Sequence, residues 1–148
     1  MAQPQQGIYL CGTVPSTLHR ALLQSVAEKG SRLREVRKDL LRKLPGMTQR
    51  WFQGPDGCDL FLWYDEEKGL SQIQLTVERR AVEWSAADGV RTAMLVSFNP
   101  LRPNEDQGRL VFDPRLDGET LELARVLLEN ASVDDLTLAL VRRHLGLR

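Results

Sequence analysis

Cysteine and histidine are scarce in this chain, two of each among 148 residues, and that removes most of the side chains with which a small enzyme does chemistry. Cys11 and Cys58 lie far apart, lack Cys-x-x-Cys spacing and sit among apolar neighbours, which suits reduced core thiols better than a disulfide framework. His19 and His144 fall in helical patterns with no ligand set beside them, so packing or surface roles fit them better than metal binding or base catalysis. Neither G-x-x-x-x-G-K-[ST] nor G-x-G-x-x-G occurs, so no phosphate-cradling loop is written here. No metal and no cofactor is expected. One enzymatic reading stays open: Cys11 could serve as a nucleophile if His19 lay close enough to lower its pKa.

Net charge is missing as well. Lys plus Arg and Asp plus Glu each total 20, so nothing steers the whole molecule toward nucleic acid or an anionic membrane. No run reaches the roughly 18 apolar residues of a membrane span, and the polar first six residues lack the basic and apolar regions of a signal peptide. A soluble protein of a reducing cytoplasm is the expectation, with one domain over residues 1–148, since a chain of this length buries about two-thirds of its unfolded surface without a staple.

What the chain does have is alternation. Ile73, Leu75 and Val77 alternate with Gln72, Gln74, Thr76 and Glu78, and Val82 and Trp84 with Glu83 and Ser85, which predicts strands with one buried and one wet face. Turn signatures at residues 54–57, 65–69 and 86–89 delimit them. Residues 90–98 continue the pattern, residues 99–107 read as a loop, and residues 110–112 as a further short strand.

Helical spacing flanks this meander. A short extended piece over residues 7–13 precedes a helix begun at Pro15 and Ser16, with Leu18, Leu22 and Val26 on one face and Gly30 as the stop. Leu33, Val36, Leu40 and Leu44 predict a second helix over residues 31–44, capped by Ser31 and ended by Pro45-Gly46. Asp117 precedes a third, with Leu121, Ala124, Leu127 and Leu128, and Ser132 with Asp135 a fourth. The expected fold is α+β: an antiparallel meander of about four to five strands flanked by N-terminal and C-terminal helix pairs.

Strand 59–65 breaks the alternation, being apolar on both faces. If Leu60, Leu62 and Tyr64 point inward, period two puts Phe61 and Trp63 on the wet side with Gln72, Gln74, Glu83 and Arg91. Large exposed rings mark interfaces, so Phe61 and Trp63, with Trp51 and Leu95, become a candidate surface for a protein partner or self-association as a homodimer. The competing reading has a terminal helix or the 99–107 loop covering them. A second candidate is the basic face of the 31–44 helix, where Arg34, Arg37, Lys38, Arg42 and Lys43 could meet nucleic-acid phosphates. Solvated helix faces are commonly this basic, and residues 104–136 carry nine acids against three bases that could balance the excess within the fold, so nucleic acid ranks below a protein partner. Residues 65–67 are acidic, as solvated hairpin turns often are.

Arg50-Trp51-Phe52, Asp59-Leu60-Phe61-Leu62-Trp63, Ile73-Gln74-Leu75 and the stretch 81–84 resemble, in order and spacing, a group of small uncharacterised bacterial proteins. The likeness spans roughly 50 residues, and Thr76-Val77-Glu78-Arg79 replaces a Cys-Tyr-Asp-Lys run of similar proteins. The resemblance implies a bacterial source and transfers no functional residue. The expected function is that of a non-catalytic interaction or regulatory module.

Overall fold

The computed structural model describes residues 17–96 and 109–147. The expected extended piece at 7–13, Cys11, the helix start at Pro15 and Ser16, and the loop 99–107 lie outside them. Within the described residues, one helix, α1 (Thr17–Ser31), precedes seven strands: β1 (Arg34–Glu35), β2 (Met47–Gln53), β3 (Asp59–Asp65), β4 (Gly69–Val77), β5 (Arg80–Ser85), β6 (Gly89–Val96) and β7 (Arg109–Phe112). Two helices follow, α2 (Gly118–Glu129) and α3 (Asp135–Leu145). The strands form one antiparallel sheet in chain order. The α+β meander is as expected, with seven strands in place of four to five.

The expected N-terminal helix pair is wrong. Beyond Ser31, the last residue of α1, residues 32–44 contain no α-helix: Leu33 is buried, β1 pairs with the end of β2, and a short 3-10 turn, Lys38–Leu40, follows. Val36 N–H donates to the Trp51 carbonyl at 2.8 Å, and Glu35 receives two hydrogen bonds from Arg50 at 2.8 and 2.9 Å. Sheet pairing and this ion pair override the local three-to-four periodicity. Leu40 is consequently 67% exposed and Leu44 37%, so no stripe exists for a helix to bury.

Three turns lie where Gly, Pro and Asp place them. The Asp65 carboxylate accepts the N–H groups of Glu67 and Lys68 at 2.8 and 3.0 Å, an Asx arrangement that closes the β3–β4 hairpin and holds the Asp65 pKa below its usual range. A fourth turn carries no such signature. Glu78 and Arg79, both at positive φ (51° and 62°), make the two-residue β4–β5 connection, a backbone shape in which Gly and Asn are favoured. Its anchor comes from another element: Lys29 of α1 donates to Glu78 Oε1 at 2.6 Å.

All three helices pack on one face of the sheet. Phe52, Leu60, Leu62, Ile73, Leu75, Val77 and Val82 meet Val26, Leu123, Ala124, Leu127, Leu128, Val141 and Leu145 in the core. Gly30 does not stop α1, which continues to Ser31. A β-carbon there would sit 2.4 Å from the Leu127 carbonyl oxygen, so Gly30 is where α1 and α2 come closest. The end of α1 is tied by Ser132, whose hydroxyl donates to the Ser31 carbonyl at 2.8 Å and whose N–H donates to Gly30. Ser132 therefore closes the end of α1 and does not open α3, whose N-cap is Asp134.

Both C-terminal helices begin with one device. Asp117 accepts from Thr120 N–H and hydroxyl at 3.0 and 2.6 Å, and Asp134 from those of Thr137 at 3.1 and 2.7 Å. A strand arginine then clasps each cap. Arg80 donates to Thr120 Oγ1 at 2.6 Å and to Asp113, while Arg50 reaches Thr137 Oγ1 at 2.7 Å and Asp134 at 3.1 Å. Capping satisfies the helix N-terminus, and the guanidinium fastens that end to the sheet.

Candidate functional site

The strand apolar on both faces behaves as period two requires. Leu60 and Leu62 are fully buried, and Tyr64 packs on the core. Phe61 and Trp63 point to the other side, half-buried. Trp51 lies directly opposite Phe61 across the β2–β3 pair. The three rings form a ladder: Trp51 to Phe61 is 5.1 Å between centroids at 12°, and Phe61 to Trp63 5.3 Å at 13°. Offset stacking of this kind fixes ring positions beyond what area burial does. None of the described helices lies on this face; the loop 99–107, the other expected cover, lies outside the described residues.

Two local features hold the ladder. Register shifts after Trp63, which pairs with Gln72 while Tyr64 pairs with Leu70, so Ser71 is the extra residue of a β-bulge. The Ser71 hydroxyl donates to the Trp63 carbonyl at 3.1 Å, and its own carbonyl accepts Ala86 N–H at 3.1 Å. The bulge lets Trp63 face outward while Leu70 and Tyr64 return to the core. Second, Trp51 Nε1–H donates to Asp59 Oδ1 at 2.8 Å. Burial pushes the Asp59 carboxyl above its usual range, and the indole bond opposes that.

Beside Phe61 and Trp63 the face carries three glutamines. Gln74 lies opposite Phe61, Gln72 opposite Trp63 on β4, and Gln49 opposite Trp63 on β2. Two strands further on, Arg91 donates to Glu83 at 2.9 Å, and its guanidinium sits 3.8 Å from the Phe112 ring centroid. Leu95 shares the face but not the cluster: it is on β6, opposite Leu110, with β4 and β5 between it and Phe61. The sequence pattern found the three rings; it missed the Asp59 partner and the Ser71 bulge, whose only signal is one residue too many between Trp63 and Ser85.

The basic candidates are exposed, on extended and turn backbone in place of the expected helix face. Arg34 donates to the carbonyls of Ser31 and Leu33, and Arg37 makes a two-point pair with Asp39 at 3.1 and 2.9 Å. Lys38, Arg42 and Lys43 line a hollow of about 300 Å³ with Leu41, Leu44, Met47 and Glu66.

Of the residues weighed for catalysis, Cys11 lies outside the described residues. Cys58 is buried, and burial pushes its thiol up to about 12, which keeps it protonated in neutral water. His144 stacks edge-on against Trp84 at 4.5 Å with Nδ1 2.8 Å from the Leu140 carbonyl oxygen, a packing position. His19 is half-buried on α1. Among the described residues no three His, Cys, Asp or Glu side chains gather as metal ligands, and no helix is long and apolar enough to cross a membrane. Comparisons with protein-family models, with curated proteins and with solved structures find no match.

Proposed function

We propose that this chain is a non-catalytic interaction or regulatory module of the bacterial cytoplasm that associates through its aromatic sheet face, with a second copy of itself as the occupant. The observation that carries the reading is the near-parallel ladder of Trp51, Phe61 and Trp63 on the face away from the described helices. Ring clusters of this kind supply contact area at low entropic cost and dominate interface energetics.

The choice of a second copy rests on the chemistry around the rings. Near the rings Asp59 accepts the Trp51 indole N–H and Glu83 is paired with Arg91, so both carboxyls are already engaged within the chain. Gln72 and Gln74 each offer both donor and acceptor, which suits a two-fold axis that sets the face against itself. A nucleic acid, by contrast, would need the stripe of cations that a 31–44 helix was expected to provide.

Solution mass across a concentration series tests the proposal. A concentration-dependent dimer is expected, with a blue shift in tryptophan emission as it forms, since two of the three tryptophans belong to the ladder. The double variant F61Q/W63Q should remain monomeric with an unchanged far-ultraviolet spectrum. A wild-type chain that stays monomeric with unshifted emission overturns the reading.

A further inference from the structure

The hollow beside Lys38 answers a different question from the ring face. Leu41, Leu44 and Met47 give it an apolar lining, Thr48 and Gln49 a polar one, and Lys38, Arg42 and Lys43 line it against one acid, Glu66. Among the described residues these three cations make no direct ion pair, although Lys38 is near enough to Glu35 to help lower its pKa; nearby Arg37 and Arg50 are each bonded to carboxylates. The walls are also held in place. Gln49 Nε2 donates to the Arg42 carbonyl at 2.9 Å, Glu66 N–H donates to the Gly46 carbonyl at 3.0 Å, and Leu44 and Met47 bridge across the Pro45-Gly46 turn. At about 300 Å³ the space matches the lower end of small-molecule sites.

We infer that this hollow binds a small amphiphilic anion, a carboxylate or phosphate head group on a medium-length alkyl chain. The head lies among Lys38, Arg42 and Lys43, and the chain covers Leu41, Leu44 and Met47. The apolar lining and the excess of cations over the one lining acid each fit half of such a molecule. Inorganic phosphate would leave the apolar lining wet, and a neutral alkane would leave the lining cations without a counter-charge. Because the walls are tied by their own hydrogen bonds, binding requires little ordering of the loop.

Calorimetric titration with octanoate and octyl phosphate, beside octanol and inorganic phosphate, tests this on the full chain. Saturable binding of both amphiphiles is expected, tightening by up to about fourfold for each methylene added from the butyl to the octyl chain. The triple variant K38Q/R42Q/K43Q should bind octyl phosphate no better than octanol, and L44E should lose the chain-length dependence; all four positions are exposed, and an unchanged melting curve confirms that each variant folds. The F61Q/W63Q variant should bind like wild type, which separates this site from the ring face. Lack of saturation up to about 1 mM amphiphile, equal affinity for inorganic phosphate, or undiminished binding by the triple variant each overturns the inference. So does co-sedimentation with anionic phospholipid vesicles in the absence of binding to the monomeric probes, which would assign the cations to a lipid surface.

Discussion

Trp51 donates its indole N–H to Asp59 Oδ1 at 2.8 Å, so an aromatic ring on the sheet face away from the described helices is held by a carboxyl that burial has made reluctant to ionise. The folded pKa of Asp59 is raised. Its contribution to stability is therefore fully present below the unfolded carboxylate value and is lost as pH rises through the raised one. D59N has no proton to lose. Its stability relative to wild type should improve between acid and neutral pH when urea midpoints are compared, and a gap that stays constant with pH contradicts the assignment. D59A, which leaves the indole N–H without a partner, should cost about 1–3 kcal/mol.

Leu95 and Phe61 share a face without touching, being separated by β4 and β5. L95Q should therefore leave the proposed dimer intact, while F61Q weakens it at least tenfold in a sedimentation measurement, about 1.4 kcal/mol. Equal losses in the two variants would mean that the interface lies elsewhere on the sheet.

The Glu78–Arg79 turn uses two non-glycine residues at positive φ. R79G removes backbone strain at the expense of one exposed hydrogen bond to the Leu95 carbonyl, and should stabilise by about 0.5–1 kcal/mol in thermal unfolding. E78A keeps the backbone shape but strips Lys29, only 14% exposed in its side chain, of its nearest partner; it should destabilise. A gain from E78A would show that the α1 anchor is not what holds the turn.

Arg50 and Arg80 clasp the two helix caps. R80M and R50M should each cost about 2 kcal/mol, the scale for a hydrogen bond to a charged group. The Thr92 hydroxyl and Arg80 hold Asp113 below its usual range, Thr137 and Arg50 hold Asp134 there, and Arg50 does the same for Glu35. Depressed pKa values stabilise above the unfolded carboxylate range and stop doing so as pH falls. Acid unfolding should therefore begin at lower pH in wild type than in either variant.

Gly30 sits within 2.4 Å, measured from an ideal β-carbon, of the Leu127 carbonyl oxygen. G30A should drive α1 from α2 and cost about 1–3 kcal/mol by overpacking, although alanine is the better helix former. A melting temperature equal to or above wild type would show that the helices can part at no cost.

Much of the candidate surface was legible in the residues. Alternation at 72–78 and 82–85 named the wet side, and period two then carried Phe61 and Trp63 onto it without any tertiary information. The Asp117 cap and the Gly-containing hairpins could be read because their signals lie within four residues of the structure they dictate. The 31–44 helix failed for the opposite reason: its apolar spacing is local, but Val36 N–H finds its acceptor on Trp51 and Glu35 its cation on Arg50. Likewise the turn at Glu78 draws its anchor from Lys29, 49 positions earlier.

By itself, then, the order of residues determined which side chains share a sheet face and where most strands reverse, because both depend on backbone geometry over a few positions. Only the tertiary structure decided that the described helices all pack on one face, that Gly30 is a crossing point and no terminator, and that three cations line a partly apolar hollow. Those outcomes depend on groups distant in the chain competing for the same hydrogen bonds and the same buried volume, a competition that no local pattern records.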